Sequence, residues 1–546
     1  MEEISMATVK RVFMVNGKPF FPVGGQSSTA SAYNAEESEA AFKAVKLLHG
    51  NTLWTDVYWE HIEPEEGKFD FTMVDELLAS ARLYGLKLIL LWFATWKNAT
   101  MDYAPEWVKT NPKRFKRVTS PTGMDLWTLS TFCQANFEAD KKAFLAFCKY
   151  LKAKDTEHTV IGIQIENESG ILGSDRDYGP EGQAVFSSPI PAKLITSMKK
   201  YGKGPVYDIW RKAGGKESGT WPELFGWPAG EFMTAWSIAS YIDRLAEAGK
   251  AVINLPMFVN VWLSDVHFMD SRWMIAGASY PSGGAVSKVL DIYKWFTPHI
   301  DLIAPDIKFS NLRVFEAICA VYSRDDNPLF FPETPPTLSV FRAIADYNLI
   351  GYSRMRLLES IVAEDGSLRP GSKVGTDTIR SIATAIPLIL KYQGTGHVYA
   401  VVQEDDIDAQ LLDMDGYLGS VVFAGDNAPH GARDWRHDSP EEIKPAPPDP
   451  NRGRGLVFQA NKNEFYLVGV NYRLFLRPKL APEKMLDAAF IYDFLQSKNA
   501  HQVKVDEGHF DQNDQFVVDR RRNGDVITNG VWVEVDTGIV RVIMCD

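Results

Sequence analysis

Two glutamates end apolar runs of the sequence, and their carboxylates could act together in chemistry. The run IGIQIENES ends with Gln164, Glu166, Asn167 and Glu168, and the run NPLFFPETPP carries Glu333 between prolines. An isolated charged carboxylate at a buried strand end is costly, so a paired or functional role is expected for such residues. Cleavage of an unactivated glycosidic bond requires one carboxylic acid that protonates the departing oxygen and one carboxylate that attacks or activates water. Glycoside cleavage is therefore the chemistry that this pair could perform.

The order of these residues along their strands limits which of them can act together. Alternation along a strand places Glu166 and Glu168 on one side and Asn167 on the other, unless the strand end twists. Either Glu168 or Glu333 alone could instead be a salt-bridged or helix-capping residue at the start of a loop. As a pair they are more informative, because they end what we count as the fourth and seventh strands of a barrel, and barrel enzymes assemble active sites at the carboxyl ends of their strands.

The elements that must position the pair follow from the hydrophobic pattern. From Phe20 to about Glu359, short apolar runs alternate with segments of helical periodicity, which indicates βα units and a parallel sheet. The expected strands cover residues 20–25, 51–59, 86–96, 159–168, 257–262, 301–307, 328–334 and 349–355. Helices are expected from residue 35, with Gly50 as the stop, and from residue 72, with Gly85 as the stop. Eight such units predict an α/β fold with a (β/α)8 TIM barrel.

The character of the chain changes beyond about residue 394, where strand-length segments alternate or run apolar. This pattern predicts a C-terminal β-sandwich. We therefore expect a catalytic barrel over residues 1–393 and a β-sandwich accessory domain over residues 394–546. The interval from Ser169 to about Gly230 is too long for one βα connection, and in a barrel such an insertion usually shapes the substrate mouth.

Bulk composition limits the partners. The chain has 546 residues, 45% of them hydrophobic and 23% charged, which is typical of a globular protein. It has no run of the ~20 apolar residues that a membrane span needs. Its formal charge of −12 is spread along the chain, which argues against binding to nucleic acid or to anionic membranes. The sequence leaves the oligomeric state open, with a homodimer as one candidate.

The cysteines and the start of the chain bear on its compartment. Cys133, Cys148, Cys319 and Cys545 lie far apart without a CxxC spacing, which favours free thiols. The start, MEEISMATVKRVF, lacks the layout of a secretory signal. A cytoplasmic location fits best, and a leader trimmed from the natural chain is the alternative.

The sequence lacks the motifs typical of metal-dependent, nucleotide-binding and serine-hydrolase sites. The ten histidines form no HExxH pattern and no pair at ligand spacing with a third partner, so no catalytic metal is expected. The glycine pairs do not complete a phosphate-binding or dinucleotide-binding pattern, and the GxSxG elbow of serine hydrolases is missing. We expect no cofactor.

Several motifs, in order, resemble the bacterial branch of glycoside hydrolase family 35, the β-galactosidases with a C-terminal β-domain. They are FMVNGKPFFPVGGQ, NTLWTDVYWEHIEPEEGKFDF, LLWFATWKNA, APEWVK, GIQIENE, ASYPSGG, LIAPDI and FFPETPP, and they span roughly residues 10 to 335. The family belongs to clan A, in which the acid/base follows an Asn on strand four and the nucleophile ends strand seven. The resemblance implies that Glu168 is the acid/base, that Glu333 is the nucleophile, that Asn167 binds the sugar 2-hydroxyl, and that anomeric configuration is retained.

Further residues at strand ends could bind a sugar. Aromatic rings offer stacking faces for pyranose C–H groups, and amides offer partners for hydroxyl groups. The candidate substrate-binding residues, besides Asn167, are Tyr58, Trp96, Asn98, Asn260, Trp262 and Tyr280. For each of them alone, packing in the core is the competing interpretation.

Three cations depart from the family pattern. Lys308 stands in APDIK where relatives tend to have Tyr, and Arg354 and Arg356 stand where they tend to have apolar or small residues. These cations are either solvated, or paired with acidic neighbours, or directed inward. If they point inward, they favour a sugar that bears a carboxylate or phosphate, since arginine matches such anions.

The sequence thus predicts a retaining exo-β-glycosidase, with β-galactosidase as the first choice, that removes a terminal β-linked sugar from oligosaccharides or glycosides through a covalent glycosyl-enzyme. The alternatives on the same site are a β-glucosidase, a uronide-specific hydrolase and a β-glucosyltransferase acting by transglycosylation. From another class, the alternative is an inactive carbohydrate-binding protein on the same barrel.

Overall fold

The computed structural model of the protein describes most of the chain. The described residues are 12–27, 32–264, 274–309, 311–335, 337–357, 361–363, 365–404, 409–423, 451–479, 502–522, 524–527 and 530–545.

The first part of the chain alternates strands and helices. Its strands are β1 (Phe13–Val15), β2 (Lys18–Phe20), β3 (Val23–Gln26), β4 (Thr52–Tyr58), β5 (Lys87–Lys97), β6 (Arg117–Thr119), β7 (Asp125–Leu129), β8 (Val160–Asn167), β9 (Met257–Val261), β10 (Leu302–Pro305), β11 (Phe331–Thr334) and β12 (Tyr352–Arg354). Its helices are α1 (Ala35–Leu47), α2 (Trp59–Ile62), α3 (Thr72–Tyr84), α4 (Glu106–Lys109), α5 (Gln134–Lys154), α6 (Pro180–Phe186), α7 (Ala192–Tyr201), α8 (Pro205–Lys212), α9 (Trp221–Phe225), α10 (Ala229–Lys250), α11 (Leu290–Phe296), α12 (Leu312–Tyr322), α13 (Val340–Asp346) and α14 (Lys373–Tyr392).

Eight of these strands form one parallel sheet that curls into a barrel. Their order in the sheet is β10-β9-β8-β5-β4-β3-β12-β11, so strands that follow one another in the barrel are neighbours. The end strands β10 and β11 lie side by side, although no ladder of hydrogen bonds joins them among the described residues. The eight expected strands and the TIM-barrel prediction are confirmed.

Side chains leave the barrel strands on two sides. Trp54, Phe93, Phe258 and Phe330 belong to the apolar cluster that fills the barrel interior. Trp92, next to Phe93, belongs instead to the larger cluster between the barrel and its helices. This alternation explains why the strands read as continuous apolar runs, because both of their faces are buried.

The helix ends differ in how they use glycine. α3 ends as expected, with Gly85 at φ 65° in the left-handed conformation. α1 ends earlier than expected, at Leu47, and His49 adopts the left-handed φ of 61°. Gly50 is therefore not the helix stop. It lies against the start of β3, where an added Cβ would be 2.9 Å from the Cα of Gly24.

The long insertion after β8 forms the short helices α6 to α9 and leads into α10. An antiparallel bridge between Ile171 and Ser282 ties the loops after β8 and β9 together at the carboxyl ends of the strands. That the insertion shapes a substrate mouth stays a prediction.

The C-terminal region is a β-sandwich, as expected. Its strands are β13 (Val398–Val402), β14 (Ala409–Met414), β15 (Tyr417–Phe423), β16 (Arg454–Asn461), β17 (Glu464–Val470), β18 (Tyr472–Pro478), β19 (Gln502–Phe510), β20 (Phe516–Arg522), β21 (Val531–Val533) and β22 (Ile539–Met544). They form a six-stranded sheet, β13-β16-β17-β22-β19-β20, and a four-stranded sheet, β14-β15-β18-β21.

One apolar cluster fills the space between the two sheets, with Val457 and Val540 from the larger sheet and Leu412 and Val533 from the smaller one. The other face of the larger sheet, with Phe458, joins the cluster that covers the barrel helices. The division at residues 393 and 394 stays a prediction.

Two further expectations concern the chain as a whole. Cys133, Cys148, Cys319 and Cys545 are free thiols, as expected. No helix in the described ranges combines the length and the apolar character of a membrane span.

Candidate active site

Three carboxylates meet at the carboxyl ends of the barrel strands. Glu168 follows β8 directly, Asp306 follows β10 directly, and Glu333 lies in β11. One oxygen from each of the three carboxylates lies within 4.8 Å of the other two. The structure thus brings together Glu168 and Glu333, which lie far apart in sequence, because parallel barrel strands present their carboxyl ends at one rim.

Lys308 is the cation that faces this cluster. Its Nζ lies 3.1 Å from Oε1 of Glu333 and 3.6 Å from Oε1 of Glu168. The Lys308 side chain is 45% exposed, whereas the side chain of Glu168 is only 4% exposed and that of Glu333 12%. Lys308 is therefore directed inward and paired with acidic neighbours, two of the arrangements expected from the sequence.

Asn260, at the end region of β9, holds two of the carboxylates in place. Its Oδ1 accepts a hydrogen bond from the backbone N–H of Glu168 at 2.9 Å. Its Nδ2 donates to Oδ2 of Asp306 at 2.7 Å. Asn260 thus lies beside Glu168 and Asp306, and its contacts position both, while a sugar contact by Asn260 stays a prediction.

The surroundings of the carboxylates alter their proton affinity. Burial raises the pKa of Glu168, the negative charge of Glu333 raises it further, and Lys308 and Lys97 partly offset both effects. Burial, together with the charges of Glu333 and Glu168, raises the pKa of Asp306 well above its ordinary value. Burial opposes the charge on Lys308, but Glu333, Glu168 and Asp306 outweigh it and raise the pKa of its ammonium. The site thus holds carboxyl groups that retain protons beside a stable cation.

A second lysine orients Asn167. Nζ of Lys97 donates to Oδ1 of Asn167 at 3.0 Å and to Oδ1 of Asn98 at 2.7 Å. The same ammonium lies 5.0 Å from the centre of the Phe93 ring. The Nδ2 of Asn167 is buried and has no hydrogen-bond partner among the described residues, which leaves this donor available to a ligand.

The expected alternation along β8 is wrong for its last residues. Glu166 and Glu168 adopt left-handed φ values of 60° and 46°, so the backbone is not extended at either residue. Glu166 turns away from the cluster, and its Oε2 accepts hydrogen bonds from the backbone N–H groups of Trp96, at 2.7 Å, and Ala94, at 3.3 Å. Glu166 and Glu168 therefore serve different sides of the strand.

Glu166 lies beside a second buried carboxyl group, Asp140 of α5. Asp140 accepts hydrogen bonds from the side chains of Trp92, Thr95 and Tyr241 at 2.8 to 3.0 Å. Burial, together with the charge of Asp140, raises the pKa of Glu166 well above its ordinary value, and burial likewise raises the pKa of Asp140. This second carboxyl pair lies in the layer between the barrel and helices α5 and α10.

Two of the remaining substrate-binding candidates, Trp96 and Tyr280, are buried. Trp96 is 1% exposed and packs against Tyr241 of α10, with ring centres 5.1 Å apart. Tyr280 is 1% exposed, and its hydroxyl donates to Glu231 at 2.8 Å. Both side chains therefore contact α10, Trp96 from within β5 and Tyr280 from the loop after β9, and sugar contacts by either residue stay predictions.

Three other substrate-binding candidates, Tyr58, Asn98 and Trp262, differ in their exposure. Tyr58 is buried in the barrel interior, and its hydroxyl donates to Asp56 at 2.9 Å. Asn98 is exposed next to Lys97, with a left-handed φ of 53°. Trp262, just after β9, is 37% exposed. Sugar contacts by these residues stay predictions.

The two arginines differ in their burial. Arg354 is 3% exposed and lies against α14, where a Cβ added at Gly375 would come 2.2 Å from its Nη1. Arg356 is exposed, with φ 55°. Arg354 therefore packs against α14, and an inward role for Arg356 stays a prediction.

Sequence reasoning missed Asp306 and Lys97 as members of the site. Asp306 ends the apolar run LIAPD, so the rule that singled out Glu333 also applies to it. Lys97 stands between the candidates Trp96 and Asn98, and a charged residue at the end of a long buried strand was the available signal.

Two family models match parts of the chain. One, for glycoside hydrolase family 42, is described as "Beta-galactosidase" and matches residues 32–212, which include Asn167 and Glu168. The other is described as a domain of unknown function, DUF5597, and matches residues 380–534. Residues 32–212 are thus similar to glycoside hydrolases of family 42. The match supports clan A, but it does not support family 35, because the matching model is that of family 42.

Solved structures with similar folds come from several organisms. The catalytic domain of a β-amylase from Paenibacillus polymyxa shares 13% identity over 66% of this chain and 98% of its own, with a TM-score of 0.48. A β-galactosidase from the Antarctic haloarchaeon Halorubrum lacusprofundi shares 16% over 66% of this chain and 58% of its own, with a TM-score of 0.46. A family 42 β-galactosidase from G. stearothermophilus shares 14% over 67% and 57%, with a TM-score of 0.44. The chain thus spans less than two thirds of the length of these two β-galactosidases. No curated protein matches the sequence.

Proposed function

We propose that the protein is a retaining exo-β-glycosidase, with Glu168 as acid/base and Glu333 as nucleophile. The observation that carries this proposal is the proximity of their carboxylates, since one oxygen of Glu168 lies within 4.8 Å of one oxygen of Glu333. Retaining enzymes hold their two carboxyl groups about 5 to 5.5 Å apart, whereas inverting enzymes separate them by about 6.5 to 9.5 Å to admit water. The spacing in this protein supports the retaining mechanism.

The two carboxyl groups have surroundings suited to different tasks. The raised pKa of Glu168 keeps a proton available for the departing oxygen. Glu333 forms an ion pair with Lys308, whose Nζ lies 3.1 Å from its Oε1. In the first step the carboxylate of Glu333 attacks the anomeric carbon while Glu168 protonates the leaving group. In the second step Glu168 takes a proton from water while the water oxygen bonds to the anomeric carbon. The ester bond to Glu333 then breaks, which restores its carboxylate.

Burial of the site supports action at a chain end. Glu168 and Asn167 are 4% and 1% exposed, so a sugar must enter the barrel mouth to reach them. A terminal residue can enter such a site more easily than an internal residue of a long chain. The substrate of this proposal is accordingly a glycoside or the end of an oligosaccharide.

The charges of the site favour a neutral sugar. Lys308 is committed to Glu333 and Glu168, and Lys97 is committed to Asn167 and Asn98. An anionic sugar would have to compete for these ammonium groups and would also meet the charge of Glu333. A neutral hexoside, with a β-galactoside as first choice, fits this balance better than a uronide or a sugar phosphate.

A panel of aryl β-glycosides tests the proposal. We expect turnover of the β-galactoside, slower turnover of the β-glucoside, and negligible turnover of the β-glucuronide. Runs with and without added sugar acceptors distinguish transfer from hydrolysis. Failure to turn over any member, together with measurable oligosaccharide binding, would identify a carbohydrate-binding protein instead of an enzyme.

A further inference from the structure

Lys308 lies between the two proposed catalytic carboxylates, in contact with both. Its Nζ is 3.1 Å from Glu333 and 3.6 Å from Glu168. A lysine has a flexible four-carbon stem and a compact ammonium, so a shift of well under an ångström could exchange the nearer partner. Because the side chain is 45% exposed, its surroundings leave room for such a shift.

The proposed reaction moves one negative charge between these partners. Before attack, Glu333 is ionised and Glu168 carries a proton. When an oxygen of Glu333 bonds to the anomeric carbon, the bond to the leaving oxygen breaks and that oxygen takes the proton of Glu168. Glu333 is then a neutral ester and Glu168 is a carboxylate. When water attacks, its proton goes to Glu168 and the ester bond breaks, which returns the charge to Glu333.

We propose that Lys308 is the ion-pair partner of both carboxylates in turn, of Glu333 before attack and of Glu168 in the glycosyl-enzyme. This inference rests on the retaining function proposed above. It assigns to Lys308 a direct role in the second step, in which Glu168 must stay ionised to act as a base. If Lys308 paired only with Glu333, it would lose its ion-pair partner when Glu333 becomes a neutral ester.

The other charged groups at the site do not replace Lys308 in this role. Asp306 has a pKa raised well above its ordinary value and so tends to stay protonated, which leaves Glu333 or Glu168 as the main negative partner. Lys97, on β5, also acts on Glu168, but its Nζ donates to Asn98 and Asn167. Among the described residues, Lys308 is the cation in ion-pair contact with both glutamates.

The test compares Lys308→Met with Lys308→Arg. The methionine removes the charge and keeps an unbranched side chain, and the arginine keeps the charge. The substrate is a dinitrophenyl β-glycoside of the best sugar from the aryl panel, because its leaving group needs little protonation and kcat then reports the second step. The dependence of kcat on pH measures the ionisation of Glu168 in the glycosyl-enzyme.

We expect the acid limb of the pH profile of kcat to move to higher pH in Lys308→Met, because loss of the neighbouring cation raises the pKa of the Glu168 carboxyl group. The shift should be on the order of one pH unit, with about a tenfold lower kcat on that limb. Lys308→Arg should retain the wild-type limb, and this rescue separates the effect of charge from a defect in folding. If kcat of Lys308→Met stays within about twofold of wild type on both the acid limb and the plateau of the pH profile, the inference is overturned.

The two proposals fail in different ways. If wild-type protein turns over no aryl glycoside, the proposed function fails and the role of Lys308 fails with it. If wild type shows a burst of dinitrophenolate and retention of configuration, the function stands whatever the Lys308 variants do. Equal loss of kcat in Lys308→Met and Lys308→Arg, without a shift of the acid limb, would reduce Lys308 to a structural residue.

Discussion

The ammonium of Lys97 lies 3.0 Å from Oδ1 of Asn167, so the amide oxygen is held and the Nδ2 group is left with no partner among the described residues. An amide fixed in this way presents a donor in one orientation. This contact links the end of β5 to the end of β8, and it places a directed hydrogen-bond donor one residue before Glu168. We propose that this donor binds the sugar 2-hydroxyl.

The first prediction concerns this donor. Asn167→Ala should lower kcat/KM for an aryl β-glycoside on the order of 100-fold, because hydrogen bonds to the 2-hydroxyl strengthen in the transition state. Lys97→Met should cause a smaller loss of the same kind, since the amide would lose its fixed orientation. The 2-deoxy form of the substrate is the control. If Asn167→Ala lowers kcat/KM as much for the 2-deoxy substrate as for its parent, Asn167 does not act through that hydroxyl.

The second prediction concerns Asp306. Because burial and the charges of Glu333 and Glu168 raise its pKa well above the ordinary value, the protonated form is favoured, and asparagine resembles that form. Asp306→Asn should therefore keep kcat within about tenfold of wild type, whereas Asp306→Ala should lose more, because it leaves Nδ2 of Asn260 without its acceptor. Steady-state kinetics of both variants provide the measurement. A larger loss in Asp306→Asn than in Asp306→Ala would show that the charge of Asp306 is required.

The third prediction concerns stability and the buried pair of Glu166 and Asp140. A carboxyl group whose folded pKa is raised binds its proton more tightly in the native than in the unfolded state. Its contribution to stability is present below the unfolded pKa of about 4.3 and is lost as the pH rises toward the folded pKa. Glu166→Gln cannot ionise, so its urea midpoint should fall less than that of wild type between about pH 5 and about pH 8.

The matched control for that measurement is Glu76→Gln, which alters an exposed glutamate on α3. Its urea midpoint should follow the pH dependence of wild type. If Glu166→Gln and Glu76→Gln lose stability in parallel as the pH rises, the buried pair does not hold the proton assigned to it.

The fourth prediction separates the roles of the two proposed catalytic glutamates. Glu168→Ala should spare substrates with very good leaving groups in the first step, because these need no proton, and should slow substrates with poor leaving groups severely. Glu333→Ala should abolish turnover and regain it with azide, which would form the inverted glycosyl azide. Equal loss for every leaving group in Glu168→Ala would reject the acid role.

Much of the architecture could be predicted from the sequence. The eight barrel strands are buried on both faces, so each gives an apolar run that is visible without the structure. The meeting of Glu168 and Glu333 also followed, since the carboxyl ends of parallel strands share one rim. Asp306 was within reach of the same reasoning, because it too ends an apolar run.

The directions of individual side chains could not be predicted in the same way. Glu166 faces α5 and not the site, because its φ of 60° breaks the alternation of an extended strand. That conformation is held by contacts with the backbone of β5 at Ala94 and Trp96, which no local pattern reveals. Arg354 similarly lies against α14, a contact between residues distant in sequence.

Trapping of the glycosyl-enzyme tests the central claim most directly. The protein is incubated with the activated 2-deoxy-2-fluoro form of its best aryl β-glycoside, then digested with protease, and the peptides are sequenced by mass spectrometry. We predict one fluoroglycosyl group per chain, attached to Glu333. Attachment to Asp306 or Glu168, or release of an inverted sugar without any labelled peptide, would contradict the assignment of Glu333 as the nucleophile.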